Sequence, residues 1–268
     1  MQSDRVFTGS IPALYEQYLG PLIFAPYADE LAARVASAAP KSLLETAAGT
    51  GILTRALVRS LPETAQIIAS DLNQPMLDFA AGQPGTARVV WRQADALALP
   101  FFERSFDVVA CQFGAMFFPD KVGAYREALR VLRPGGRLVF SVWDSIEENE
   151  FAAVVTAAVA ALFPANPPSF LARTPHGYHD AARIRGELAA AGFSRVAVET
   201  IERRSRAPSH RDPAIGYCQG TPLRNEIEAR DAARLGEATE AAAAALGSRF
   251  GAGPVDGKMQ ALVITAWR

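Results

Sequence analysis

Short apolar runs alternate along the chain with longer stretches in which apolar residues recur at helical spacing. The helical stretches include 11–38, 51–60, 120–132, 181–191 and about 224–246. The strand-like runs are 42–47, 66–71, 87–93, 105–111, 137–143, 195–201 and 259–267. This alternation predicts an α/β fold with a doubly wound, seven-stranded and mostly parallel sheet of the Rossmann-like type.

The turn after the first strand has the composition of a ligand-binding junction. The strand ends in Glu45, and small residues then lead through Gly49 and Gly51 into a helix. Such a turn lets a ligand approach the main chain, although a purely structural turn has the same composition. Thr54 occupies the place of the third glycine of the dinucleotide fingerprint, and Glu45 would repel a pyrophosphate. The turn therefore favours a positively charged ligand without phosphates.

Acidic residues also end the next two strands. Asp71 follows Gly51 at the spacing at which an acid meets ribose hydroxyls in nucleotide-binding folds. A helix N-cap is the alternative role for Asp71, but Asn73 can fill that cap. Asp95 follows the third strand. The carboxyl ends of parallel strands share one edge, so these acids are expected to lie near Glu45.

With these residues the chain resembles the class I S-adenosylmethionine-dependent methyltransferases, whose first motif reads acid-x-Gly-x-Gly-x-Gly. Glu45, Gly49 and Gly51 match that motif, and Ala47 replaces its first glycine. We expect the added methyl group to be tolerated. The segment 128–139, with the sequence ALRVLRPGGRLV, is also typical of this class. Among its members, the chain is similar to small-molecule enzymes such as the ubiquinone/menaquinone C-methyltransferases.

The resemblance implies S-adenosylmethionine as the cofactor and strand seven antiparallel beside strand five. It also implies that Asp95 accepts a hydrogen bond from the adenine amino group, with Leu72 and Met76 covering the ring. Tyr15-Glu16 corresponds to a Tyr-Asp pair that reaches the cofactor in related enzymes, although core packing also explains the tyrosines. The predicted cofactor residues are Tyr15, Tyr18, Glu45, Ala47, Gly49, Thr50, Gly51, Asp71, Leu72, Met76, Ala94, Asp95, Ala96, Cys111 and Gln112.

Three regions are expected in the chain. Residues 1–40 are predicted to form an N-terminal helical lid, and 41–204 with 257–268 the cofactor-binding α/β core. Residues 205–256 are predicted to form a helical cap insertion over the acceptor pocket, unless they only shield the sheet edge. Large apolar residues in 112–120, after strand four, are expected to line the substrate pocket.

The net charge and the cysteine content exclude several classes of partner. The 268 residues carry a net charge of −1, so no global field attracts nucleic acid or an anionic membrane. The two cysteines lack metal-ligand spacing, and no signal peptide or membrane-spanning stretch is visible. We therefore expect a cytoplasmic protein without a metal that acts on a small molecule.

The expected function is methyl transfer to an O, N or C atom of a small organic acceptor. His176 and His179 are the candidate proton acceptors, since they lie in a loop before a helix that follows strand five. A histidine bonded to the backbone is the alternative interpretation of that loop. The rival functions are a nicotinamide-dependent reductase and a protein that binds S-adenosylmethionine without turnover.

Overall fold

A computed structural model describes residues 9–268, and its seven strands form one sheet in the order β3-β2-β1-β4-β5-β7-β6. The strands are β1 (Ser42–Glu45), β2 (Gln66–Asp71), β3 (Val89–Gln93), β4 (Phe106–Gln112), β5 (Leu132–Trp143), β6 (Arg195–Ala207) and β7 (Val255–Trp267). The predicted fold class is confirmed.

The helices fill the connections between the strands. They are α1 (Ile11–Leu14), α2 (Ala25–Ala36), α3 (Ile52–Ser60), α4 (Gln74–Ala81), α5 (Lys121–Val131), α6 (Glu150–Leu162), α7 (Phe170–Arg173), α8 (Ala181–Ala191), α9 (Arg211–Gln219), α10 (Leu223–Asp231) and α11 (Leu235–Phe250). A π-helix, Tyr15–Phe24, joins α1 to α2 and contains Pro21. None of the described helices is long and apolar enough to cross a membrane.

The parallel half of the sheet aligns the carboxyl ends of its strands. Glu45 at the end of β1 lies opposite Ala69 of β2 and Ala110 of β4. Asp71 at the end of β2 lies opposite Gln93 of β3. The strand order reverses direction between β1 and β4, and ligands bind at such switch points in open α/β sheets.

Strand β7 runs antiparallel to β5, as the resemblance implied. The Asp144 N–H donates to the Gln260 carbonyl at 3.1 Å, and the Arg268 N–H donates to the Gly136 carbonyl at 3.0 Å. Residue numbers therefore rise along one strand as they fall along the other, which only an antiparallel pair permits.

The chain divides into two compact units. The sheet unit comprises 25–142, 179–201 and 261–268, and one apolar cluster of its core packs α2 and α3 on strands β1, β2 and β4. The helical unit comprises 143–178 and 202–260 together with the described residues up to Phe24.

The helical unit contains the whole predicted cap, 205–256, and the described residues of the predicted lid up to Phe24, whereas 25–40 of that lid belong to the sheet unit. Its helices α9 and α11 pack together, and α9 also packs against the π-helix. A Cβ atom on Gly216 of α9 would lie 2.8 Å from Cδ2 of Leu19, which shows how closely the two helices approach. The single helix predicted over 224–246 is interrupted at 232–234, between α10 and α11.

Candidate cofactor site

The loop between β1 and α3 is fixed by hydrogen bonds to both neighbouring strands. The Thr46 N–H donates to the Ala110 carbonyl and the Ala48 N–H to the Ser70 carbonyl, both at 2.9 Å. The Ser70 hydroxyl donates back to the Glu45 carbonyl at 3.0 Å. The protein's own bonds therefore hold the loop in place above the strand ends.

Gly49 and Gly51 have left-handed backbone conformations that explain the choice of glycine. Their φ angles are +56° and +80°. A Cβ atom on Gly51 would lie 3.1 Å from Cη2 of Trp91 and 3.2 Å from Cβ of Ala80, whereas one on Gly49 would meet nothing within 4 Å. Gly51 thus allows close packing, and Gly49 leaves open space beside the main chain.

Ala47 also has a left-handed conformation, with φ +53°, where the family motif has glycine. Its methyl group fits because the loop after β4 has no side chain at the facing position. A Cβ atom on Gly114 would lie 2.4 Å from Cβ of Ala47 and 2.8 Å from Sγ of Cys111. Sequence reasoning did not identify Gly114, which lies next to Ala47 only in the folded chain.

Asp71 is nearly buried, with 7 % of its surface exposed. Its Oδ2 accepts the Gly49 N–H at 2.9 Å, and its Oδ1 accepts the Asn73 N–H at 2.8 Å. Burial raises the pKa of Asp71, and the bonds from Asn73 and Gly49 oppose that rise. The Asn73 side-chain amide also donates to Oδ1, at 3.3 Å. The backbone and Asn73 therefore orient Asp71, and Oδ2, which accepts one N–H, retains acceptor capacity for a hydroxyl group.

The loop after β3 brings Asp95 to the same edge. The Ala94 N–H donates to the Asp71 carbonyl at 3.0 Å, and the Asp95 Oδ1 accepts the Leu97 N–H at 2.9 Å. The exposed Asp95 has no partner for its Oδ2 among the described residues. On the β2 side, Leu72 is 42 % exposed, whereas Met76 is buried in the core.

A small cavity of about 10 Å³, large enough for one water molecule, brings Ala96 and Cys111 together. Its other lining residues include Thr46, Leu99 and Tyr125, which were not singled out from the sequence, and Phe118, which lies in the segment 112–120 predicted to line the substrate pocket. Burial raises the pKa of the Cys111 thiol to about 12, so Cys111 stays protonated. Gln112 is half-buried at the end of β4, opposite Ser141 of β5.

Glu45 is buried, and its carboxyl accepts a hydrogen bond from the Thr54 hydroxyl at 2.6 Å. Burial raises the pKa of Glu45 to about 8, against the opposing effect of that bond. From the sequence, Thr54 was notable only as the residue that replaces the third glycine of the dinucleotide fingerprint. In the structure it holds the acid of the first motif.

The remaining predicted residues are divided between the two units. In the helical unit, the Tyr15 ring stacks on Phe24 with centroids 4.6 Å apart, and Tyr18 is half-buried. His176 is buried there, with its Nδ1 2.8 Å from the Asp144 carbonyl oxygen. His179 is exposed and belongs to the sheet unit. The two histidines thus fall in different units, and the bond from His176 to Asp144 is the kind expected of a structural loop histidine.

Thr50 provides a direct test of whether the loop fits a ligand. Its side chain is buried between Gly49 and Gly51, and its hydroxyl has no hydrogen-bond partner among the described residues. A buried unpaired hydroxyl costs about 1–3 kcal/mol. A polar ligand on this open loop would supply a partner, and a nucleoside with ribose hydroxyls and an adenine amino group suits Asp71 and Asp95.

The contact between Ala47 and Gly114 predicts a coupled pair of substitutions. Gly114→Ala should destabilise the protein by about 1–3 kcal/mol, because the new methyl group overlaps Ala47 and Cys111. Ala47→Gly should recover about 1 kcal/mol of that loss in the double variant. Urea unfolding of the four proteins measures the coupling. Gly186→Ala is the matched control, since nothing lies within 4 Å of its added Cβ. Strictly additive effects would show that the two residues do not share this space.

Comparison with known proteins agrees with this geometry. A model of the methyltransferase domain family matches residues 44–140. The ubiquinone/menaquinone biosynthesis C-methyltransferase UbiE of Stutzerimonas stutzeri is 33% identical over 174 residues, which cover 59% of this chain and 67% of that protein. The demethylmenaquinone methyltransferase of Deinococcus radiodurans is 32% identical over 173 residues, which cover 60% of this chain and 71% of that protein.

Solved structures share the fold at low identity. YcgJ of Bacillus subtilis superposes with a TM-score of 0.55 at 19% identity, covering 89% of this chain and 98% of YcgJ. Phosphoethanolamine N-methyltransferase 2 of Haemonchus contortus, solved with S-adenosylhomocysteine, superposes with a TM-score of 0.51 at 16% identity. The match covers 85% of this chain and 49% of that protein. The [4+2]-cyclase SpnF superposes with a TM-score of 0.52 at 22% identity, and the match covers 90% of this chain and 81% of SpnF. The chain belongs to the class I S-adenosylmethionine-dependent methyltransferases, and S-adenosylmethionine is its cofactor.

Proposed function

We propose that the enzyme methylates a carbon atom of a small hydroxylated aromatic acceptor of the quinol type. The observation that carries the proposal is sequence similarity to enzymes named for quinone C-methylation. It extends over 174 residues, well beyond the segment 44–140 that the domain model matches. The net charge of −1 is also suited to a small organic acceptor rather than to nucleic acid.

The sheet unit offers the groups that would hold the cofactor. Asp71 would accept the ribose hydroxyls, Asp95 the adenine amino group, and the main chain at Gly49 would border the nucleoside. Glu45 supplies a carboxyl group for a cation. When bound, S-adenosylmethionine supplies a methyl group on a positively charged sulfur. The protein's own contribution is to orient the reactants and exclude water, which can account for much of the acceleration of a displacement reaction.

The loop after β4 is the proposed wall of the acceptor pocket. Residues 112–119, QFGAMFFP, contain no carboxylate, imidazole or amine. Phe113 is held at φ +50°, its N–H donates to the Ser141 carbonyl at 3.1 Å, and its ring packs edge-on against Tyr27. Bulky residues rarely adopt this conformation, and such strain clusters at functional sites. An apolar wall without a base suits an acceptor that is nucleophilic by itself, as a quinol ring is.

The lid (1–40) and the cap (205–256) belong to the same proposal, in which they enclose the acceptor. The packing of α9 against the π-helix supports a joint role for them. Tyr15 and Tyr18 of the π-helix are the lid residues that we propose to contact the cofactor.

Methyl transfer from S-adenosylmethionine with a deuterated methyl group tests the proposed acceptor. Hydroquinones, catechols and aromatic amines would be compared by mass spectrometry, and NMR would locate the new methyl group. We expect a carbon-bound methyl group on the hydroquinone. Methylation confined to oxygen or nitrogen would contradict the acceptor class and leave the family assignment intact.

Asp71→Ala should weaken cofactor binding by about 1.5–3 kcal/mol, because it removes charge-assisted hydrogen bonds to the ribose. Calorimetry with S-adenosylmethionine measures this change. Asp71→Asn serves as a second variant that keeps one acceptor oxygen. Asp78→Ala is the control on the exposed side of α4. Equal affinity of wild type and Asp71→Ala would remove Asp71 from the site.

We propose His176 and His179 as the candidates for a proton acceptor. A general base contributes about 10²–10⁴-fold to a rate. The test measures kcat at saturating cofactor across pH for His179→Ala and for His176→Asn, which retains a donor for the Asp144 carbonyl. Losses below threefold in both variants would leave positioning and desolvation as the whole mechanism.

A further inference from the structure

The carboxyl group of Glu45 is buried without a counter-ion. Glu45 is 1 % exposed, and the Thr54 hydroxyl makes the only hydrogen bond to its carboxyl among the described residues. No ion pair to Glu45 exists in the part of the chain that the structure describes. A carboxylate removed from water in this way strongly favours its neutral form.

On balance, the groups around Glu45 also favour the neutral form of its carboxyl group. On β2, the negative Asp71 opposes ionisation of Glu45, and on β4, Cys111 is an uncharged thiol. Arg55 of α3 favours ionisation, but its Nη1 donates to the Thr50 carbonyl at 2.9 Å. Helix α2 contributes apolar side chains to the core beneath this strand. Burial is the largest influence on the pKa of Glu45, which lies near 8.

Thr54 can serve either protonation state of its partner. A hydroxyl group is both a donor and an acceptor. It can accept the proton of a neutral Glu45 carboxyl and, after rotation, donate to the ionised form. A valine would have the same shape and could do neither.

We propose that Glu45 is protonated in the free enzyme at neutral pH and releases its proton to solvent when the cationic cofactor binds, with Thr54 as the positioning residue. The O–H bond of the carboxyl breaks, the proton passes to the buffer, and the carboxylate remains opposite the cofactor's positive charge. The proposal rests on S-adenosylmethionine binding at the loop after β1. Because the free enzyme holds a proton that the complex lacks, affinity should rise with pH up to about pH 8 and then level off.

Calorimetry at pH 7 in two buffers with very different ionisation enthalpies measures the number of protons released. We expect wild type to release between about half a proton and one proton more per cofactor than Glu45→Gln. Both proteins receive the same cofactor, so the difference between them gives the protons whose release depends on the Glu45 carboxyl group. Thr54→Val should shift the rise in affinity to higher pH, whereas Asp78→Asn should match wild type.

Infrared difference spectroscopy of wild type and Glu45→Gln supplies a second readout, in which the variant separates Glu45 from Asp71, whose pKa burial also raises. Cofactor binding should remove a protonated-carboxyl absorption and add a carboxylate absorption. Cofactor binding with no such change, or with equal proton release in wild type and Glu45→Gln, would overturn the proposal while leaving the cofactor site intact. Failure of wild type to bind S-adenosylmethionine would overturn both.

Discussion

The hydrogen bond from the Gly49 N–H to the Asp71 carboxylate joins the two loops on which the cofactor site depends. It forms because β1 and β2 are parallel and end at the same edge, with Glu45 opposite Ala69. The bond fixes Asp71 and places a glycine with open space beside it. The register of β1 against β2 keeps the two loops together, since a shift between these strands would separate Gly49 from Asp71.

Charge selects the ligand at this edge. Three carboxyl groups lie at the ends of successive parallel strands, and among the described residues none of them forms an ion pair. Asp71 and Asp95 accept backbone N–H groups, and Glu45 has only the Thr54 hydroxyl. A pyrophosphate would add negative charge to this edge, whereas a sulfonium nucleoside brings a positive charge. The structure thus gives a physical reason for a cofactor that the sequence motif only implies.

The alternation of apolar runs predicted the strands and their class because β1, β2 and β4 are short and mostly buried, and because helices separate β1 from β2, β2 from β3 and β4 from β5. The three acids could be placed together from the sequence, since parallel strands end at one edge. Gly114 and Thr54 could not be recognised. The role of Gly114 depends on its contact with Ala47, which is far away in the sequence. The role of Thr54 depends on the side chain of Glu45 lying on the side of β1 that faces α3. The unit boundary after Phe24 was equally hidden, because it falls inside a continuous helical segment.

Parallel calorimetric titrations with S-adenosylmethionine, S-adenosylhomocysteine and NADH test the central claim most directly. The claim is that three acid-ended strands form a site for a nucleoside without phosphates. The account predicts saturable binding of S-adenosylmethionine and S-adenosylhomocysteine at one site per chain and no binding of NADH. Binding of NADH that displaces S-adenosylmethionine would contradict it.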